Sequence, residues 1–344
     1  MKHRLILFFT LLTMCSPFVL SATASAAGSQ TNDEQTGGIK IRAKARLPEN
    51  QYNQEVTYFD LLVAPEDKQE VFIDITNITS EPVTIAASLN NAVTNNNGVI
   101  EYSPTSSQTN QSKGLKLTDF AQLSDTDFVI PGEESFELKV TLDMKNKKFD
   151  GIVLGGVYLR QTDDEKESQG NIKHVFNTEL AISLRQNEMI VPEEISMGTI
   201  GVGLVNSRTF FKADFINKNA LIVADAELKV KVYRRSGNEL LFEKTIDKMK
   251  MAPSTQMTLL IPTEGQRLSA GDYVIKATMK TSNNTYEFSE DMTISQEEAK
   301  ELNEGDVSIE EDNMLLYIVI GIAAAVVLIV IIIAVIVVKR KSRK

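Results

Sequence analysis

The sequence predicts an all-β protein: two tandem immunoglobulin-like β-sandwiches followed by one C-terminal transmembrane α-helix. Three observations carry this. Short runs of alternating apolar and polar residues recur between turn residues; the order of those runs repeats once; and one uncharged apolar stretch, Met314 to Val338, stands before a basic end.

The alternation is clearest in QEVFIDITN, where Val71, Ile73 and Ile75 share one face and Phe72, Asp74 and Thr76 the other. A period of two is that of a strand with one buried face. Comparable runs are EPVTIAASLN, ESFELKVTLDM, HVFNTELAISLRQ, SRTFFKADFIN, AELKVKVYRR, TQMTLLIP and DYVIKATMK, separated by Asn, Gly, Pro and Ser. Many short strands with regular turns indicate sandwiches.

Each half has a strand ending in Asn (Asn77, Asn217), then a proline-marked turn into a strand (VIPGEESFELKV, MAPSTQMTLLI), then a glycine before another (FDGIVLGGVYLR, LSAGDYVIKATMK). The expected domains are residues 39–162 and 172–294, with the chain passing between them near Met189 to Glu194. Residues 295–313, QEEAKELNEGDVSIEEDN with its preceding serine, are acidic and polar and are expected to form a solvated stalk.

The first 27 residues combine a basic start (Lys2, His3, Arg4), an apolar run from Leu5 to Met14 and small residues at Ala24, Ser25 and Ala26. This is a secretory signal peptide, cut near Ala26 or Ala27. Met14 before Cys15 argues against a lipid-modified cysteine. Beyond Cys15 the chain has no cysteine, so stability after export rests on packed cores without disulfides.

Residues 314–338 are long enough to cross a bilayer, and the six-residue tail KRKSRK belongs on the cytoplasmic side. The expectation is a single-pass cell-membrane protein with a large external part at the cell wall. Of 36 Lys and Arg, two lie in the signal and five in the tail, leaving 29 against all 46 Asp and Glu outside, a net of about −17. Nucleic acid is therefore a poor partner.

Catalytic parts are scarce. The exported chain has one histidine, His174, and no cysteine, which excludes Cys–His catalysis and thiolate zinc sites, and no G-x-S-x-G elbow is present. Asp125 to Asp127 and Asp163 to Glu165 lack the ligand spacing of a calcium loop. No enzyme activity, metal or cofactor is expected. LPEN at Leu47 to Asn50 lacks the threonine and glycine of a sortase signal.

FDGIVLGGVYLRQT holds Gly151, Gly155 and Gly156 but neither a Gly-Lys-Ser/Thr run nor a G-x-G-x-x-G spacing, so it is read as a strand whose glycines permit close approach by another segment. Asn50, Gln51, Tyr58, Asp60, Asn90 and Asn91 offer amide and carboxylate groups beside an aromatic ring, residue types suited to meeting a polar ligand.

The phrases RLPENQYNQEVTYFDLLVAPEDKQEVFIDITNITSEPVTIAASLNNAVTNNNGVIEYS, FDGIVLGGVYLR, LAISLRQNEMIVPE, MAPSTQMTLLIP, AGDYVIKAT and EEAKELN, in that order, resemble the WxL protein-interacting protein family of Gram-positive bacteria. The resemblance implies a first domain that binds peptidoglycan, a second that binds host proteins such as those of the extracellular matrix, and partnership with WxL-domain surface proteins. Its first-domain phrases fall on Pro48, Asn50, Gln51, Tyr58, Phe59, Asp60, Asn90, Asn91 and the three glycines. Its second-domain phrases fall on Leu184, Asn187, Ala252, Pro253, Gly271 and Tyr273. Relatives often carry a tryptophan in the last strands, whereas this chain has none and offers Tyr286 and Phe288. The implied role is a non-enzymatic surface scaffold; an assembly chaperone acting by strand addition is the alternative.

Overall fold

The computed structural model describes residues 38–104, 114–162, 176–310 and 314–341. The expected signal peptide with Cys15, Asp163 to Glu165 and His174 lie outside the described residues.

Two sheets enclose the first core. One has the order β1 (Ile41–Arg46), β3 (Lys68–Asn77), β9 (Ser135–Asp143), β7 (Ala121–Leu123). The other has the order β2 (Phe59–Leu62), β11 (Asn177–Arg185), β10 (Val153–Gln161), β4 (Val83–Asn91), β8 (Asp127–Ile130), antiparallel except for β2 beside β11. Val71, Ile73 and Ile75 of β3 are buried as the alternation requires, against Ile85, Leu138, Val157 and Leu159.

The strand Asn177–Arg185 departs from expectation. It was expected to open the second sandwich at 172, but Leu180, Ile182 and Leu184 fill the first core while its backbone pairs with β10 and β2. Alternation marks a strand without naming its sheet, and the gap between β10 and β2 is closed only by this strand. The chain crosses to the second sandwich between Arg185 and Ile195, where the Met189 to Glu194 boundary was expected.

β10 is thus central, and its glycines are explained by their neighbours. Gly155 faces the core, where a Cβ would lie 2.4 Å from the Asn90 carbonyl oxygen and 2.6 Å from Leu117 Cδ2. Gly156 faces outward, where a Cβ would lie 2.7 Å from the Tyr102 ring. Leu117 sits in a 3-10 turn, Leu117–Asp119, and is fully buried. One glycine admits a leucine inside and the next admits a tyrosine outside.

The second core lies between β12 (Ile195–Val205), β13 (Arg208–Asn217) and β16 (Gln256–Pro262) on one side, and on the other β15 (Glu239–Met251), β14 (Val223–Arg234), β17 (Gly271–Lys280) and β18 (Thr285–Ile294), in those orders. Asn206 and Ser207, both at positive φ, make the tight hairpin turn from β12 to β13. Phe211, Phe215 and Tyr273 fill the centre, and the Tyr273 hydroxyl donates to Ser269 O at 2.6 Å. Tyr286 and Phe288 are half-buried against this core.

The repeated Asn has a shared task. Asn77 donates from Nδ2 to the carbonyls of Glu81, Ile130 and Pro131, and Asn217 donates to those of Leu221 and Ala252. Each ties the end of its strand to the next turns, and both are buried.

A short hairpin, β5 (Val93–Thr94) with β6 (Ile100–Glu101), carries the first sandwich onto the second. Thr94 is fully buried; its Oγ1 accepts from Ala252 N at 2.9 Å and lies 3.0 Å from Thr255 Oγ1. Lys250 N donates to Gly98 O, Ile152 N donates to Ala220 O, and Ala92, Leu154 and Ala252 pack together. Gly151, at φ +80°, would place a Cβ 2.2 Å from Ala220 O, so the junction needs this glycine too.

The expected solvated stalk is instead largely docked. Ser295 caps α1 (Gln296–Gly305) by accepting from Glu298 N, and Ala299 and Leu302 are buried in the second core. Burial of Leu302 contributes roughly 2 kcal/mol. Asn303 exchanges two hydrogen bonds with the Leu268 backbone. Asp306 then accepts from Thr209 N and from Ser308 N and Oγ. Composition signalled the charge on the outer face of α1, while two apolar residues at i and i+3 decide the docking.

Helix α2 runs Met314–Lys341, 28 residues. Side chains are described only for residues 319–333 and 336. Among the residues whose side chains are described, no helix presents a stretch long and apolar enough to cross a membrane.

Two expectations test this packing. Gly155→Ala destabilises the protein by about 1–3 kcal/mol in urea unfolding, because Asn90 and Leu117 occupy the Cβ position. Gly201→Ala, at a position with nothing within 4 Å, leaves stability unchanged or raises it by roughly 0.5 kcal/mol; equal losses would refute the close-approach account.

Desolvation pushes the Asp306 carboxyl up, but the hydrogen bonds from Ser308 and Thr209 outweigh it and hold the pKa at about 2, below the usual carboxylate range. A depressed pKa means stability that is present above the unfolded value, near 4, and lost as pH falls toward 2. Amide exchange in α1 therefore accelerates over that window, and Asp306→Ala removes the pH dependence while speeding exchange at neutral pH. Unchanged exchange in the variant would sink this assignment.

Candidate functional site

The loop from β1 to β2 is built from its own amides. Asn50 Nδ2 donates to Leu62 O and Gln69 Oε1, both at 3.0 Å. Gln51, buried, donates from Nε2 to Asn53 O and Tyr58 O and accepts from Asp60 N through Oε1. These two expected ligand residues are occupied in shaping the loop, and what the loop presents outward is Tyr52.

Asp60 is buried at the start of β2, and the parallel register sets it beside Ser183 and sets Leu62 beside Arg185. Arg185 Nη2 lies 3.0 Å and 3.3 Å from the two Asp60 oxygens. Its guanidinium stacks over the Tyr52 ring at 4.1 Å, and its side chain is 21% exposed against 7% for Asp60. A pair this buried gains little net stability, but losing one partner strands the other and costs about 3–5 kcal/mol. The arrangement fixes a planar cation at the surface between a carboxylate and an aromatic face.

The face continues across the sheet. Asn90 Nδ2 donates to Tyr102 O at 2.7 Å, and Tyr102 N donates to Glu179 Oε2 at 2.9 Å, holding the Tyr102 ring on Gly156. Burial raises the Tyr58 hydroxyl pKa and the Asp60 charge adds to it, with Arg185 opposing. Burial also raises that of Tyr102 well above the ordinary phenol, reinforced by Tyr58 and Glu179. Both phenols stay protonated near neutrality and can donate hydrogen bonds.

Of the six candidates, Asn50, Gln51, Tyr58 and Asp60 gather in one place, and Asn90 supports Tyr102 beside them. Asn91 turns to the other face, where it exchanges hydrogen bonds with Thr118 and lines a cleft of about 210 Å³ between the sandwiches. At Gly151, Gly155 and Gly156 a Cβ would meet Ala220 O, Asn90 O and the Tyr102 ring. Sequence reasoning passed over Tyr52, Tyr102, Glu179 and Arg185. The available signal was Arg185, a lone cation closing the otherwise uncharged run LAISLR.

The second-domain phrases have structural places. Leu184 and Tyr273 are core, Ala252 is at the junction, and Asn187 donates to Asp150. Among the described residues no group of three or more His, Cys, Asp or Glu could hold a metal ion. The face can therefore offer stacking, neutral hydrogen-bond donors and one fixed cation, the chemistry for recognising sugars and short peptides with amide and carboxylate groups.

Comparison with known proteins adds the following. Residues 42–161 match the family model "WxL Interacting Protein, peptidoglycan binding domain", and residues 167–304 match "WxL Interacting Protein, host binding domain". The second match takes in β11, which completes the first sandwich, and most of α1. Among solved structures the chain is similar to the E. coli chaperone DraB (10% identity, 73% of this chain and 98% of that one, TM-score 0.29). It is similar also to the YadV chaperone (9%, 74% and 100%, 0.30) and the Pseudomonas aeruginosa CupB2 chaperone (9%, 68% and 96%, 0.28). Likenesses this distant carry no inference about function. No curated protein matches. The two family models, which together take in most of the chain, place it in the WxL-interacting protein family.

Proposed function

We propose that the chain is a non-enzymatic surface scaffold, exported by its first 27 residues and held in the cell membrane by α2. Its 25 apolar residues from Met314 to Val338 would extend about 37 Å as a helix, enough to cross a hydrocarbon layer of about 30 Å with some tilt. Their side chains, where described, are exposed, as expected of a helix that lipid surrounds. The basic tail then lies in the cytoplasm.

The first sandwich meets peptidoglycan through the face of Tyr52, Tyr58, Asp60, Tyr102 and Arg185, and the chain holds a secreted WxL-domain protein, with host matrix proteins as a further partner class. The observation that carries the wall contact is the Arg185 guanidinium clamped between Asp60 and Tyr52. A glycan strand with its stem peptide supplies sugar faces for the rings and carboxylates for the cation.

Detergent-solubilised full-length protein is expected to sediment with purified peptidoglycan. Tyr52→Ala, at a 41%-exposed side chain, weakens retention roughly tenfold without lowering the melting temperature. Asn91→Ala, on the other face, leaves retention unchanged. Wild-type retention by Tyr52→Ala would exclude this face as the wall contact.

A further inference from the structure

Among the described residues the sandwich edges are protected with one exception. β1 carries Arg42, Lys44 and Arg46; β2, β7 and β8 are three or four residues long; β15 carries Glu243, Lys244, Asp247, Lys248 and Lys250 with several register shifts; β18 carries Glu287, Glu290 and Asp291. The edge of β16 is covered by Lys244, whose Nζ donates to Leu260 O. Charge, shortness, irregularity and cover are the ways a sheet edge is kept from pairing with another chain.

β12 is eleven residues long and has no charged residue and no proline. Beyond its ladder with β13, none of its backbone groups makes a hydrogen bond among the described residues. A bulge between Met197 and Ile200 interrupts it once, leaving Ile200–Val205 as a regular free edge, half-exposed or exposed throughout. On the outer face beside it stand Gly201, with nothing within 4 Å of a Cβ, and Gly203. A Cβ at Gly203 would lie 3.0 Å from Lys212 Nζ, whereas Gly201, which no contact within this chain demands, leaves room for a chain from outside.

A second observation lies at the other end of β12. Ser196 lines a pocket of about 220 Å³ with Lys218, Thr255 and Asn217. Asn217 is fully buried, and its Oδ1 has no hydrogen-bond partner among the described residues. Its counterpart Asn77 accepts from Thr79 N and Oγ1, but the equivalent position here is Asn219, whose side chain donates to Pro192 O.

We infer that β12 is the docking edge for an extended segment of a separate polypeptide, which adds as a fourth strand to the sheet of β12, β13 and β16. Strand addition is the recognition mode for which a free backbone edge is the template. The occupant is uncharged where it pairs and basic at its ends. Glu193 and Glu194 precede β12, and α1 with Glu297, Glu298, Glu301 and Glu304 and β18 with Glu287 and Glu290 pack against it. The inference refines the partner of the second sandwich and is independent of wall contact by the first.

The test uses full-length protein in phospholipid nanodiscs and a synthetic peptide of three Thr-Val pairs flanked by two lysines at each end. Hydrogen exchange of the Ile200–Val205 amides is expected to slow roughly tenfold at saturating peptide. The same peptide N-methylated at alternate residues gives no slowing. Gly201→Lys, which has the space to fold, loses the effect, and Gly201→Glu keeps it. Absence of slowing with the unmodified peptide, equal slowing with the N-methylated one, or full slowing in Gly201→Lys would each overturn the proposal; peptidoglycan sedimentation stands or falls separately.

Discussion

The first sandwich depends on two missing side chains. At Gly155 and Gly156 one central strand is approached closely from both faces, by Leu117 inside and by Tyr102 outside. The inner contact seats the 3-10 turn that fills the core. The outer contact roots the segment leading from the β5–β6 hairpin, and that hairpin carries Thr94 into the second sandwich. Candidate site and inter-sandwich junction are thus built on adjacent residues of the same strand, in a chain whose single cysteine, Cys15, can form no internal disulfide to supply such a constraint.

Much of this was legible in the sequence because the determinants are local. Val71, Ile73 and Ile75 alternate, and the glycines of β10 stand where a strand pattern continues through them. Asn77 and Asn217 close equivalent strands and are spent on equivalent turns. What was not legible depends on partners distant in sequence. Asn177–Arg185 reads as a strand in any sheet, and only the gap between β10 and β2 assigns it. That assignment moves Arg185 from the second domain to the first and brings it to Asp60 across 125 positions. The amides expected to meet a ligand, Asn50 and Gln51, are instead consumed in holding the loop, a common fate of polar residues that fold inward. The stalk was misjudged for the opposite reason, since its acidic surface concealed Ala299 and Leu302.

Charge and neutrality divide the labour between the two sandwiches. A net charge of about −17 over residues 28–338 discourages unspecific association at the strand edges. Against that background two features stand out as exceptions: a fixed cation beside aromatic rings on the first sandwich, and an uncharged edge on the second. The first suits polar ligands carrying carboxylates, and the second suits extended backbone. The Thr94 junction ties the two sandwiches together, so a scaffold of this build can engage a wall fragment and a polypeptide at once.

The central claim is that the ring held on Gly156 and the clamp at Arg185 form one face for wall fragments. The most direct measurement is NMR of full-length protein with isotope-labelled tyrosine rings, titrated with a soluble disaccharide-peptide released from purified peptidoglycan. The account predicts that the resonances of Tyr52, Tyr58 and Tyr102 shift together and saturably, while Tyr233 and Tyr273 of the second sandwich stay in place. Saturable shifts confined to the second sandwich, or none at Tyr52, Tyr58 and Tyr102, would contradict it.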